Sequence, residues 1–72
     1  MDFNKRLKKA RNLRGFTQQN MADALNTGLR NYQKYEQGDR RPTYESLVII
    51  ATKLDVTTDY LLGLTDEEPV GE

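Results

Sequence analysis

Thr17-Gln18-Gln19-Asn20-Met21-Ala22-Asp23-Ala24-Leu25-Asn26-Thr27-Gly28-Leu29-Arg30-Asn31-Tyr32-Gln33-Lys34-Tyr35-Glu36 decides the fold of this chain. Thr17 is a helix-capping residue, because its hydroxyl accepts from one of the N–H groups that a helix start leaves unpaired. Met21, Ala22 and Leu25 then form a buried stripe at helical spacing, which predicts a helix capped by Thr17 and running through Leu25. Asn26 tolerates the left-handed conformation that ends a helix. Asn26-Thr27-Gly28 leaves only a short connection before the next helix, expected from about Leu29 to Gln37 and stopped by Gly38. Tyr32 and Tyr35 fall on its inner side, with Arg30, Gln33 and Lys34 toward solvent. Two short helices joined this tightly meet at a steep angle.

Upstream, Asp2 is placed to cap a helix from about Phe3 to Arg14, its carboxylate suiting the positive helix start. Leu7, Ala10 and Arg11 share one face, and Gly15 supplies the left-handed stop. Downstream, Asp39-Arg40-Arg41-Pro42 is a polar loop, since Pro42 forbids helix continuation and biases Arg41 to an extended shape. Thr43 caps a fourth helix whose core face is Leu47, Ile50, Ala51 and Leu54. Val56 precedes the cap Thr57 in the position of a hydrophobic staple, predicting a short fifth helix from Thr58 to Leu62 that ends at Gly63. Sustained alternation of the strand type is absent. The expectation is one all-α domain over residues 1–64, followed by an acidic tail or linker, residues 65–72, expected to be disordered.

Composition narrows the function classes. Seventy-two residues make one small domain with a marginal core. The chain has no cysteine and no histidine, which removes disulfides, thiolate metal sites, imidazole catalysis and most zinc sites. No apolar run approaches the roughly 18 residues that span a bilayer. Met1-Asp2-Phe3-Asn4 lacks the basic-then-apolar order of a signal peptide. A cytoplasmic chain is therefore expected, with no membrane partner. Neither a Gly-rich phosphate loop nor a converging carboxylate pair is present, so an enzyme, a cofactor, a metal and a small-molecule substrate are not expected. The zero net charge conceals an asymmetry. Residues 1–41 carry ten Lys/Arg against four Asp/Glu, and residues 42–72 carry Lys53 against seven. A local basic face matters more to phosphate than the total does.

The whole order resembles the lambda-repressor-like, Cro-type (XRE) helix-turn-helix family. The residues that carry the resemblance are Arg11, Gly15-Phe16-Thr17-Gln18, Met21-Ala22, Tyr35-Glu36-Gln37-Gly38, Arg41-Pro42, Leu47, Ile50-Ala51, Leu54-Asp55-Val56 and Tyr60-Leu61-Leu62-Gly63. It implies a compact five-helix bundle in which helices 2 and 3 form a helix-turn-helix that places helix 3 in the DNA major groove. Gly28 departs from the pattern where a Ser or Thr usually caps helix 3. Thr27 stands where a buried aliphatic residue is usual.

The resemblance assigns base reading to Leu29, Arg30 and Lys34. Arg and Lys donate to guanine O6 and N7, and Leu packs on a thymine methyl. Asn31 and Gln33 are the next candidates, for adenine or for phosphate. Gln18 is expected to grip the DNA backbone, together with Thr17, Gly28, Arg40 and Arg41. Lys5, Arg6, Lys8 and Lys9 read as solvated charges. Arg11 and Glu36 match an internal ion pair that ties helix 1 to the end of helix 3, and Tyr32 and Tyr35 read as core. Val48, Ile49, Leu62 and Leu64 exceed what one small core needs and form either a candidate self-association patch or a satellite cluster under the chain end. The expected function is that of a DNA-binding transcriptional regulator of bacterial or phage type, a repressor that binds a pseudo-palindromic operator in double-stranded DNA as a homodimer. The alternative is a protein-interaction module, such as an antitoxin-like partner on the same fold.

Overall fold

Five helices follow one another in the computed structural model, which describes residues 2–66: α1 (Phe3–Arg14), α2 (Gln18–Ala24), α3 (Leu29–Gln37), α4 (Tyr44–Leu54) and α5 (Thr58–Leu61). Among the described residues there is no strand. The acidic tail expected over residues 65–72 lies, from residue 67 onward, outside them.

The helix boundaries have local causes. Thr17 accepts from the Asn20 N–H at 3.0 Å, and the Asn20 side chain returns to the Thr17 N–H at 2.9 Å, closing a reciprocal capping box. Thr43 and Thr57 cap α4 and α5 in the same manner, accepting from Ser46 and Tyr60. Gly15, Gly38 and Gly63 follow α1, α3 and α5 with positive φ. Three details differ from the sequence expectation. Asp2 makes no side-chain cap, because its backbone (φ −106°, ψ 44°) lies outside the extended region that aims a capping side chain at the helix start. Helix α2 ends at Ala24, with Leu25 already in the closing turn, where Asn26 at φ 54° brings the Thr27 N–H to the Ala22 carbonyl at 3.0 Å. Helix α5 likewise ends at Leu61 rather than Leu62.

Leu7, Ala10, Met21, Ala22, Tyr32, Tyr35, Ile50, Ala51, Leu54, Tyr60 and Leu61 make one core, flanked by half-buried Phe3, Phe16, Leu25, Leu47 and Val56. Tyr32 and Tyr35 meet edge to face, with ring centroids 6.2 Å apart. Helix α2 packs on α3 and α4, while α1 crosses behind α3, α4 and α5.

Two arginines of α1 reach across to chain ends that sequence reasoning left without partners. Arg14 donates to the carbonyls of Leu54 (2.8 Å) and Asp55 (3.0 Å), closing the C-terminus of α4 where Asp55 turns left-handed. Arg6, expected to be a solvated charge, lies over the Tyr60 ring and donates to the carbonyls of Tyr60 (3.0 Å) and Thr65 (2.6 Å). It also pairs with Asp66 at 2.8 Å. Cationic side chains suit helix C-termini because unpaired carbonyls concentrate there.

Candidate nucleic-acid interface

Helix α3 has two sides. Tyr32 and Tyr35 face the core, while Leu29, Arg30 and Lys34 are exposed and Gln33 is half-buried. Leu29 and Gln33, and Arg30 and Lys34, are spaced one turn apart, so the four make a continuous outer stripe. Gly28 precedes them in extended backbone and offers no side-chain cap. A Cβ there would meet nothing within 4 Å, so glycine is not forced by crowding. Arg40 and Arg41 are exposed in the loop after the helix. Asn31 is half-buried, and both ends of its amide are engaged: Nδ2 donates to Thr27 Oγ1 at 3.0 Å, and Oδ1 accepts from Arg40. Thr27, the departure from the family pattern, thus anchors the first turn of α3 by a hydrogen bond in place of an aliphatic contact.

The stripe is aimed by a polar hub beneath it. Arg11 of α1 donates to Glu36 of α3 through Nε (2.6 Å) and Nη2 (3.1 Å), in a pair whose side chains are only 10% and 4% exposed. Tyr32 donates its hydroxyl to Glu36 Oε2, and Gln18 at the start of α2 donates Nε2 to Glu36 Oε1 at 3.2 Å. The carboxylate therefore takes four hydrogen bonds, which fills its acceptor sites. Arg11 also donates to the Phe16 carbonyl at 2.9 Å, fixing the link between α1 and α2. Gln33 then donates Nε2 to Gln18 Oε1 at 3.1 Å, extending the hub to the outer stripe.

The titration behaviour follows from these contacts. Burial alone pushes the Glu36 carboxyl up, but the bonds from Arg11, Tyr32 and Gln18, with the Arg11 charge, hold it below its ordinary value. The hydrogen bond to Glu36 outweighs burial at Arg11 and raises that guanidinium further. Burial, reinforced by the Glu36 carboxylate, raises the Tyr32 phenol, so it stays a donor. Glu36 is thus held ionised. A buried ion pair fixes orientation more than it stabilises, and this one locks α1, α2 and α3 at the base of the outer stripe.

Residues 7–61 match the family model for helix-turn-helix. The chain belongs to the helix-turn-helix family. It is 46% identical over 68 residues to the uncharacterized HTH-type transcriptional regulator YqaE of Bacillus subtilis, covering 94% of this chain and 59% of that protein. Identity to the HTH-type transcriptional regulator ImmR of the same organism is 43% over 63 residues, covering 88% and 50%. To the cryptic phage CTXphi transcriptional repressor RstR of Vibrio cholerae it is 42% over 69 residues, covering 93% and 62%. The chain spans about half to three fifths of the length of these relatives.

In this helix-turn-helix chain the structure brings together, around α3, Leu29, Arg30, Lys34, Gln33 and Gln18. Thr17 lies at the exposed start of α2, its hydroxyl oxygen engaged by Asn20. On α4, Tyr44, Val48 (54%) and Ile49 (41%) are exposed, as is Leu64 (73%) beyond α5, whereas Leu62 is half-buried. Sequence reasoning missed the Tyr32 hydroxyl on Glu36, although an i, i+4 Tyr–Glu spacing on one helix is a visible signal. It also missed the Gln18–Gln33 bridge, for which no local signal exists.

Among the described residues no group of three or more acidic residues is placed to hold a metal ion. No helix there is long and apolar enough to cross a membrane.

Proposed function

We propose that this chain is a sequence-specific DNA-binding transcriptional regulator that inserts α3 into the major groove. The observation that carries the reading is the outer stripe of α3, exposed on one side and locked from the other by the Arg11–Glu36 hub, in a chain of the helix-turn-helix family. Leu29, Arg30 and Lys34 are the base-facing residues in this reading. Thr17, Gln18, the Gly28 backbone, Arg40 and Arg41 hold phosphates and set the register. Its long relatives are named transcriptional regulators, one of them a phage repressor. The reading extends to repression in the cytoplasm, with no catalytic step.

Binding as a homodimer to a pseudo-palindromic operator completes the proposal. Val48 and Ile49 on α4 and Leu64 beyond α5 are exposed apolar side chains, and self-association is assigned to them in this reading. Two α3 helices would then enter successive major grooves about 34 Å apart. Selection of bound sites from random duplex DNA tests both parts. The expected product is an inverted repeat with half-sites one helical turn apart. An enriched site without symmetry removes the dimer, and recovery of no enriched sequence removes the function.

A further inference from the structure

We infer that Gln33 is a specificity residue that reads adenine, and that Glu36, acting through Gln18, fixes the direction in which the Gln33 amide points. The inference rests on the DNA-binding reading above and names one determinant within it.

A glutamine amide has a carbonyl that accepts and an NH2 that donates, and a free side chain can present either. Here the choice is imposed from inside the protein. The Glu36 carboxylate can only accept, and Arg11 and Tyr32 already donate to it. Gln18 must therefore turn Nε2 toward Glu36, and does so at 3.2 Å. That leaves Gln18 Oε1 facing Gln33, so Gln33 must in turn present Nε2, and does so at 3.1 Å. A reversed Gln18 would set its carbonyl against a carboxylate, lone pair to lone pair. The direction of the chain of bonds is thus dictated by the charge at its buried end.

What remains on Gln33 is one acceptor, Oε1, and one donor, the second Nε2 proton. Adenine presents a matching pair in the major groove, an acceptor at N7 and a donor at N6. Guanine presents two acceptors, N7 and O6, and would oppose a carbonyl to the Gln33 carbonyl. A phosphate, also an acceptor, makes no use of Oε1. Gln33 sits one turn after Leu29 on the outer stripe and is half-buried, so its amide is held rather than sweeping through solvent. Asn31, the other amide on α3, is committed to Thr27 and Arg40 at both ends and does not compete for this role.

The test uses the full chain, with sites selected from random duplex DNA and each half-site position scored by competition. The Gln33→Ala variant is expected to lose its preference for adenine over guanine at one position per half-site by about 5- to 150-fold, the range of one bidentate pair. Replacing that adenine by purine, which lacks the 6-amino group, weakens wild type in the same range and weakens Gln33→Ala little. Glu36→Gln lets the Gln18 amide reverse and admits guanine at the same base pair. Retention of every base preference by Gln33→Ala overturns the inference, as does an equal loss at all positions, which would make Gln33 a positioning residue only. Indifference of wild type to purine overturns the amide direction, and so does a folded Glu36→Gln with unchanged preference. Should Glu36→Gln not fold, the purine result decides alone. A selected site that ignores Gln33→Ala sinks this inference and leaves DNA binding standing; no selected site sinks both.

Discussion

Removing the charge from Glu36 while keeping its shape is the sharpest probe of how the hub holds the fold. In Glu36→Gln the two bonds from Arg11 lose their charge assistance, and one of the acceptor oxygens becomes an NH2 that faces donors. Hydrogen bonds to charged groups contribute about 1.5–3 kcal/mol each. Part of this is recovered, because the remaining oxygen still accepts from one Arg11 N–H and from either Tyr32 or Gln18. Arg11, at 10% side-chain exposure, is left charged with only the Phe16 carbonyl fully retained. The expected loss is roughly 2–4 kcal/mol, close to the lower end of what breaking a buried ion pair costs. Urea denaturation followed by far-UV circular dichroism reads this directly. With a slope of roughly 1 kcal/mol/M for a small domain, the midpoint should fall by about 2–4 M. Removing both charges is expected to cost less than removing one, because no uncompensated charge stays buried. Arg11→Met combined with Glu36→Leu should therefore melt above Arg11→Met alone. A Glu36→Gln midpoint within about 0.5 M of wild type would show that solvent reaches the pair and refute the hub as a buried lock.

The same carboxylate sets an acid limit. Its pKa in the fold lies below the ordinary 4.5, so folding favours the ionised form. The stabilisation is complete above that ordinary value and is lost as pH falls through the lower folded-state value. Melts taken from neutral pH down to about 3 should show a slope that is shallower in Glu36→Gln, and identical slopes would deny the shift. For Arg30→Ala, binding to the selected operator should weaken by roughly 1–3 kcal/mol with relaxed preference at one base pair. A uniform weakening across all sequences reassigns Arg30 to phosphate. For Arg41→Ala and Arg40→Ala, the slope of log affinity against log salt should each become shallower by about 1, measured by fluorescence anisotropy over a salt series. An unaltered slope removes that arginine from the phosphate set. Gly28→Ser should stabilise the domain by a few tenths of a kcal/mol in thermal melts, because the extended backbone suits a hydroxyl cap and the new Cβ meets nothing within 4 Å. Destabilisation would mean that glycine is needed there for its backbone.

What was legible in the sequence is what the backbone decides locally. Thr17, Thr43 and Thr57 cap helices because each is followed within three residues by the N–H it accepts. Gly15, Gly38 and Gly63 end helices because left-handed backbone is cheap for them. Asp2 shows the limit of that logic: it is the right residue type, but its own φ and ψ aim the carboxylate elsewhere. Leu7, Met21, Ile50 and Leu54 were readable as core from periodicity, since burial follows helical phase. The candidate interface was legible only in outline. Exposure of Arg30 and Lys34 follows from the same phase, but the fate of the polar side chains between them does not. Asn31 and Gln33 are both amides on α3, two residues apart, and nothing local distinguishes them. One is spent on Thr27 and Arg40; the other is bridged to Gln18 and, beyond it, to a buried carboxylate. The difference arises from partners beyond the local turn: Arg40, nine residues on in the loop after α3, for Asn31, and Gln18, fifteen residues back and brought near by the packing of α2 on α3, for Gln33. Arg6 and Arg14 make the same point for the scaffold, because their carbonyl partners lie as far as 59 and 41 residues along the chain. A sequence pattern specifies which face a side chain occupies. Whether that side chain then serves as scaffold or as reader is decided by hydrogen-bond valence, and valence is counted only in the assembled hub, where Glu36 accepts four bonds and passes its polarity outward to Gln33.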